Sequence, residues 1–433
     1  MNNDIALVII GRAIGIISAI TFNAFIARVI IPEDVGAYFI ALSCVSLLTT
    51  FVRFGIEDKL LKIVADQYNY GDINGIHRSV FRATRLILIT FSITILVASP
   101  FYEMLFTQYF DTPQLSQPPI LYCLIIWLGF WSWQTISMQG LRSTKSFFVA
   151  TLLNGGLNQT INILCLLLLK GVLSAEITLT TIMIVVSSTY ILTSLIGFIW
   201  LHCKAKLATP QLTTKPRKNK RVAPSLLLFL NQATQYISNT ADIWIVAIAL
   251  GITPAALYGA ATRLAAFVGI PLIIMESILP SKISKCILSD NRYDQEKISQ
   301  SNAMLSTLPS IAIFFIVLFF SSEILEIIFG AQYQAASDCL RILSIYHLSH
   351  CLMGPSSLIL LMNGYHKILT TTAIIGGLAG TTTCYAMLQH FPSIETAATT
   401  FAIANIATKL TRTLAVYKYC GIKTYINIKH LAV

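Results

Sequence analysis

"LVIIGRAIGIISAI", residues 7–20, is an apolar run broken by a single guanidinium, that of Arg12. A helix of roughly 20 apolar residues spans the ~30 Å of bilayer hydrocarbon. Runs of that length recur from one end of the 433-residue sequence to the other. Hydrophobic residues make up 55% and charged residues 11%, with a mean hydropathy of +0.72, far from the balance of a water-soluble domain. The ten-residue alternating segments of a transmembrane barrel are not seen. The sequence therefore predicts an all-α integral membrane protein. "MNND" lacks a basic n-region and no small-residue cleavage site ends the first run, so that run reads as a retained span. The net charge of +11 has no basic soluble domain to sit on, which argues against nucleic acid as a partner. The nine cysteines, Cys44, Cys123, Cys165 and Cys384 among them, are scattered through apolar segments without the spacing that a metal needs.

Twelve spans are expected, at 5–30, 35–55, 84–106, 119–141, 147–169, 177–201, 223–250, 255–279, 303–322, 338–362, 367–389 and 395–417, joined by short loops. The loops after even-numbered spans, with the C-terminal tail and adjacent helix ends, hold 24 of the 30 lysines and arginines. Arg28, Lys170 and Arg341 lie on the other side, and Arg12, Arg53 and Arg263 fall inside spans. Because cytoplasmic loops carry the excess of Lys and Arg, both termini are expected in the cytoplasm. The basic stretch "KAKLATPQLTTKPRKNKRV", 204–222, reads as a linker between an N-terminal lobe, 1–203, and a C-terminal lobe, 223–433. Contact with the headgroups of anionic membrane lipids is its alternative role. "IIPEDVGAYFIA" (30–41) and "GITPAALYGAAT" (251–262) fall at equivalent joints of the two six-helix lobes, hinting at an internal repeat, and in repeat-built transporters the substrate site lies where repeats meet.

Three blocks carry a family resemblance: "FIARVIIPEDVGAYFIALSCVSLLTTFVRFGIEDKLLKIVA" (25–65), "ADIWIVAIALGITPAALYGAATRLAAF" (241–267) and "LRILSIYHLSHCLMGPSSLILLMNGYHKILTTTAIIGGLAGTTTCYAML" (340–388). With them the chain resembles the O-antigen type flippases, the polysaccharide-biosynthesis branch of the multidrug/oligosaccharidyl-lipid/polysaccharide (MOP) flippase superfamily. The resemblance implies two pseudo-symmetric six-helix lobes with alternating access to a central cavity. It also implies a polyprenyl-diphosphate-linked oligosaccharide as cargo, moved to the outer leaflet of the bacterial inner membrane for lipopolysaccharide or other polysaccharide synthesis. A polysaccharide polymerase or other assembly proteins are the partners it suggests, and no cofactor beyond a coupling H+ or Na+.

Charged groups inside spans cost at least ~2.5–3.5 kcal/mol at mid-helix and usually face a bundle interior or water. Arg12 shares one side of its helix with Gly15, Ala19 and Asn23, and either snorkels or faces a cavity. Arg53 lies near the cytoplasmic end of span two. Related lipid-carrier flippases place cationic side chains on the first, second and eighth helices, which here hold Arg12, Arg53 and Arg263; these three are the expected diphosphate-binding set. Span seven carries Asn231, Thr234, Gln235, Ser238, Asn239 and Asp242 at helical spacing, one polar stripe that reads as cavity lining or as contact with a neighbouring helix. Asp242 and Arg263 are each about 12 Å from the outer ends of their helices and are placed to pair. Asn154, Asn158 and Asn162 could meet sugar hydroxyls or bridge helices. Asp242 and Glu276 are candidates for ion coupling, and His347 and His350 for proton sensing or packing. Gly376 and Gly380 form a G-x-x-x-G packing motif, and Trp127, Trp131 and Trp133 read as packing or interfacial residues.

Guanidinium groups match phosphate oxygens through bidentate contacts, so arginines in a wet cavity suit a diphosphate head. A membrane-bound polymerase or glycosyltransferase should have a large outer loop or acidic pair, whereas the longest outer loop, about 107–118, holds only Asp111. A drug or metabolite exporter of the same superfamily would share the architecture but favour acidic cavity residues.

Overall fold

The computed structural model describes residues 2–171, 176–206, 226–289 and 291–426, and every regular element among them is helical. The chain divides into two compact units, Met1–Ala233 and Thr234–Val433.

In the first unit, α1 (Asn2–Val29) is followed after a two-residue turn by α2 (Pro32–Arg53). Pro32, whose fixed φ suits a first helical turn, and the acidic Glu33 and Asp34 start α2, and Phe54 and Gly55 in the left-handed region end it (φ 43° and 68°). Then come α3 (Ile56–Asn69) and α4 (Ile73–Ala98), the latter capped by Asp72, whose Oδ1 accepts from the Gly75 amide at 2.7 Å. α5 (Pro118–Ser143), α6 (Phe147–Thr151), α7 (Leu157–Gly171) and α8 (Leu179–Lys206) complete this unit. Lipid gives helices little hydrophobic reason to associate, so close packing and interhelical hydrogen bonds must hold them. α5 and α8 use both: Ser187 and Ser194 on α8 donate to the carbonyls of Cys123 and Phe130 on α5, each at 2.9 Å. Trp127 stacks on Tyr38 (6.3 Å) and Trp131 (5.9 Å), with Tyr190 against both indoles, and Trp127 and Tyr38 are fully buried. The packing reading of Trp127 therefore holds.

α9 (Leu226–Leu250) crosses the boundary between the units. The second unit continues through α10 (Ile252–Leu288), α11 (Arg292–Phe329), α12 (Ser337–Met353), α13 (Ser356–Met362), α14 (His366–His390) and α15 (Ile394–Cys420). Ser393 caps α15 by accepting from the Thr396 amide, and Gly421 (φ 69°) stops it. Gly376 and Gly380 let α14 lie against α15: a Cβ on Gly376 would land on the Thr408 hydroxyl, and one on Gly380 would come within 3.1 Å of Ala404.

Each expected span falls on a described helix. Eight described helices are long and apolar enough to cross a membrane, nine if Ala331–Met353 and Ser356–Met362, bent by 48°, form one broken span. The expected loop between spans two and three is corrected: α3 fills 56–69, and α4 begins at 73 rather than 84. The charge count is also corrected, because Lys409 and Arg412, taken with the tail, lie inside α15, where Lys409 is only 4% exposed. Of the basic linker 204–222, positions 204–206 are the last turn of α8, and the rest lies outside the described residues.

Candidate functional site

In the first unit the small face of α1 is a packing seam. Gly11 lies against Thr151, Gly15 against Gly156, and the Ser18 and Thr160 hydroxyls share a hydrogen bond of 2.9 Å. A Cβ on Gly156 would sit 2.9 Å from the Gly15 Cα, so the two backbones touch. That contact abuts a break between α6 and α7, where Asn154 (ψ 42°) and Gly155 (φ 107°) leave helical geometry. Arg12, half-buried, lies a third of a turn round from Gly11 at the margin of this seam. Asn154 is exposed at the break.

Asn23 is buried, and its Nδ2 donates to the Ala19 carbonyl at 2.7 Å. Asn158, expected to line a cavity, is fully buried in an amide pair: Gln134 Nε2 donates to its Oδ1 and its Nδ2 donates to Gln134 Oε1, both at 3.2 Å. Gln134 also donates to Thr193 Oγ1 at 3.0 Å, linking α5, α7 and α8. Asn162 is likewise buried, its Nδ2 facing Gln159 Oε1 at 3.4 Å.

Arg53 sits at the α2–α3 corner. Its Nη1 donates to Glu57 Oε2 at 2.9 Å, Nε to the Thr49 carbonyl at 3.1 Å and Nη2 to Thr50 Oγ1 at 3.3 Å. The left-handed pair Phe54–Gly55 brings Glu57 back to it. The sequence expectation places 56–69 in a loop, which gives Arg53 no such partner.

In the second unit, Asp242 is half-buried on α9; its Oδ2 accepts from the Tyr258 hydroxyl at 3.0 Å and its Oδ1 from the Ile243 amide at 2.9 Å. Tyr258 is fully buried on α10, and five residues on, half-buried Arg263 donates from Nη1 to the Gly259 carbonyl at 2.9 Å. Tyr258 belongs to the 251–262 segment, where the sequence offers no sign that it meets Asp242. Thr234 and Gln235 are half-buried on the same helix as Asp242; the side chains of Asn231, Ser238 and Asn239 lie outside the described ones. Glu276 is half-buried on α10. His347 and His350 flank Tyr346, with ring centroids 4.5 and 4.4 Å from it.

Cationic side chains thus hang on α1, α2 and α10, and a polar, acid-bearing face on α9. Residues 25–338 match the family model described as polysaccharide biosynthesis protein. The chain belongs to that family. No curated protein matches this polysaccharide biosynthesis family member. Among solved structures, it is similar to an inward-facing multidrug resistance MATE family transporter of the MOP superfamily, at 13% identity over 94% of each chain with a TM-score of 0.76. A MOP superfamily transporter from Pyrococcus furiosus, described as having a binding pocket of reverse polarity, aligns at 14% identity over 96% of this chain and 95% of its own (TM-score 0.71). A MATE transporter in complex with MaL6 aligns at 14% identity over 96% of both chains (TM-score 0.68). This member of the polysaccharide biosynthesis family is therefore a multi-pass membrane protein with the MOP transporter fold.

Proposed function

We propose that this chain is a flippase that moves a polyprenyl-diphosphate-linked repeat unit of O-antigen or another polysaccharide from the cytoplasmic to the outer leaflet of a bacterial inner membrane. The match of 25–338 to the polysaccharide biosynthesis family carries this reading, and the MOP fold supports a transport role for the protein. In it, twelve spans form two lobes with cytoplasmic termini, and the cavity alternates between the two faces of the membrane. Arg12, Arg53 and Arg263 hold the diphosphate through charge-assisted hydrogen bonds while the prenyl tail stays in lipid. Asn23, Asn154, Thr234, Gln235 and Asp242 offer polar contacts to the sugars. The membrane potential, negative inside, favours outward passage of an anion by ~2.3 kcal/mol per charge per 100 mV. Return of the empty, positively charged cavity is the uphill half, where a proton or sodium ion taken up at Asp242 or Glu276 assists.

The likeness to multidrug transporters favours a second reading, export of a drug or metabolite. One experiment separates the two. In cells lacking the chromosomal copy, wild-type protein restores surface polysaccharide, and replacing Arg12 and Arg263 with Ala abolishes that rescue without changing drug tolerance. Altered drug tolerance with intact surface polysaccharide would overturn the flippase reading.

A further inference from the structure

α11 is 38 residues long and reaches about 57 Å end to end, far more than the ~30 Å of bilayer hydrocarbon. The excess includes the polar turns Arg292–Asn302, which precede its apolar run and so stand at headgroup level. Here a cavity of about 220 Å³ opens between α10 and α11. Met275 and Leu279 line it from α10, and Lys297, Ser301, Asn302 and Leu305 from α11. Leu279 is also part of the apolar cluster that buries Ile422, so the cavity backs onto packed core.

Two of its polar groups are left over by the fold. Asn302 is 4% exposed, and its Oδ1 is buried with no hydrogen-bond partner among the described residues. A buried amide oxygen in that state needs an explanation. Lys297 is exposed and takes part in neither ion pair found among the described residues. The carboxylate beside it in sequence, Glu296, is already engaged: Oε2 accepts from the Lys423 amide at 3.1 Å and Oε1 from Gln300 Nε2 at 3.2 Å. Beyond the cavity the same face of α11 turns apolar. Lys297 and Ser301 are followed at helical spacing by Leu305, Leu308 and Phe315, which are 54%, 58% and 49% exposed. Cation and hydroxyl first, then hydrocarbon, is the order of groups along a phospholipid.

We propose that this cavity binds the headgroup of an anionic, hydroxyl-bearing phospholipid of the phosphatidylglycerol type, with Lys297 on the phosphate and the Asn302 amide on the glycerol hydroxyls. Basic pockets between membrane helices suit anionic headgroups, and an ammonium–phosphate contact is a charge-assisted hydrogen bond. The amide selects among such lipids. It has both a donor and an acceptor, as a hydroxyl does, whereas the ammonium of an ethanolamine head only donates and a bare phosphate monoester has no glycerol to offer. Ser301 adds a hydroxyl at the mouth, and the acyl chains follow Leu305 and Leu308. The site goes beyond the flippase reading and does not depend on it.

The test is native mass spectrometry of the delipidated full chain in detergent, titrated with acyl-matched phosphatidylglycerol, phosphatidic acid, phosphatidylethanolamine and phosphatidylcholine. Wild type should bind phosphatidylglycerol about tenfold more tightly than phosphatidylcholine, with the other two between. Lys297→Gln should weaken phosphatidylglycerol about tenfold, and Lys297→Arg should keep most of the affinity. Asn302→Leu should lower phosphatidylglycerol to the level of phosphatidic acid. Lys206→Gln, at an exposed basic residue ending α8, should change nothing. Should Asn302→Leu fail to fold, the order of lipids on wild type and the Lys297 variants carry the test. Equal binding of phosphatidylglycerol and phosphatidylcholine, equal binding of phosphatidylglycerol and phosphatidic acid, or equal losses in Lys297→Gln and Lys206→Gln would each overturn the proposal. Competition by free glycerol phosphate at the same concentration as the lipid would assign the site to a soluble ligand and also overturn it. No arm contains cargo, so failure of the flippase reading would leave these outcomes unchanged.

Discussion

The Tyr258 hydroxyl donates to Oδ2 of Asp242 across 3.0 Å and ties α10 to the polar face of α9. Tyr258 has no solvent exposure, so its hydroxyl has no water to take the place of this acceptor.

Tyr258→Phe should therefore destabilise the protein by about 1.5–3 kcal/mol, the range for a hydrogen bond to a charged group. Asp242→Asn keeps an acceptor for the hydroxyl and should cost less. Thermal unfolding of both variants in detergent micelles checks the order.

Gly376→Ala forces a methyl onto the Thr408 hydroxyl, and overpacking of this kind costs about 1–3 kcal/mol. Thr408→Ala removes the obstructing oxygen, so the double variant should regain most of the lost melting temperature. A double variant as unstable as Gly376→Ala would show that the α14–α15 seam is set elsewhere.

Asn158→Leu leaves Gln134 Oε1 without its donor inside the α5–α7–α8 packing and should cost about 1–3 kcal/mol. Replacing both Asn158 and Gln134 with Leu should cost less than the two single changes added together, as a double-mutant cycle would register. Surface polysaccharide per folded molecule should be unchanged by Asn158→Leu, in contrast to the arginine variants.

Glu57→Gln removes the charge that holds Arg53 at the α2–α3 corner. The pair is half-screened by solvent, with side chains 22% and 9% exposed, so stability should fall by only about 1 kcal/mol. If Arg53 serves the diphosphate, the variant should retain transport, whereas Arg53→Ala should lose it. Equal loss in both would mark the corner itself as the functional element.

The long helices were legible in the sequence because a bilayer demands about twenty apolar residues in a row, a signal stronger than any local propensity. α3 was not, because charges at Glu57, Asp58, Lys59, Lys62 and Asp66 lower its hydropathy. Ile56, Leu60, Ile63 and Val64, all buried, nevertheless recur at helical spacing. The early start of α4 was hidden by Arg78, Arg82 and Arg85, although Asp72 three residues before Gly75 is a readable cap. Lys409 is hidden from a topological charge count, in which a basic residue marks a loop or a helix end. Its phase with Ala402 and Val416 on α15 would have placed it inside. The polar stripe of α9 was visible from spacing alone, but the partner of Asp242 required the neighbouring helix to be in place.

The interruption at Asn154 and Gly155 divides the fifth apolar run into two stiff segments joined by a glycine with nothing within 4 Å of where its Cβ would be. Gly15 rests on Gly156 beside that joint with no side chain between them. Any side chain at position 156 would have to push the α1 backbone away from this joint.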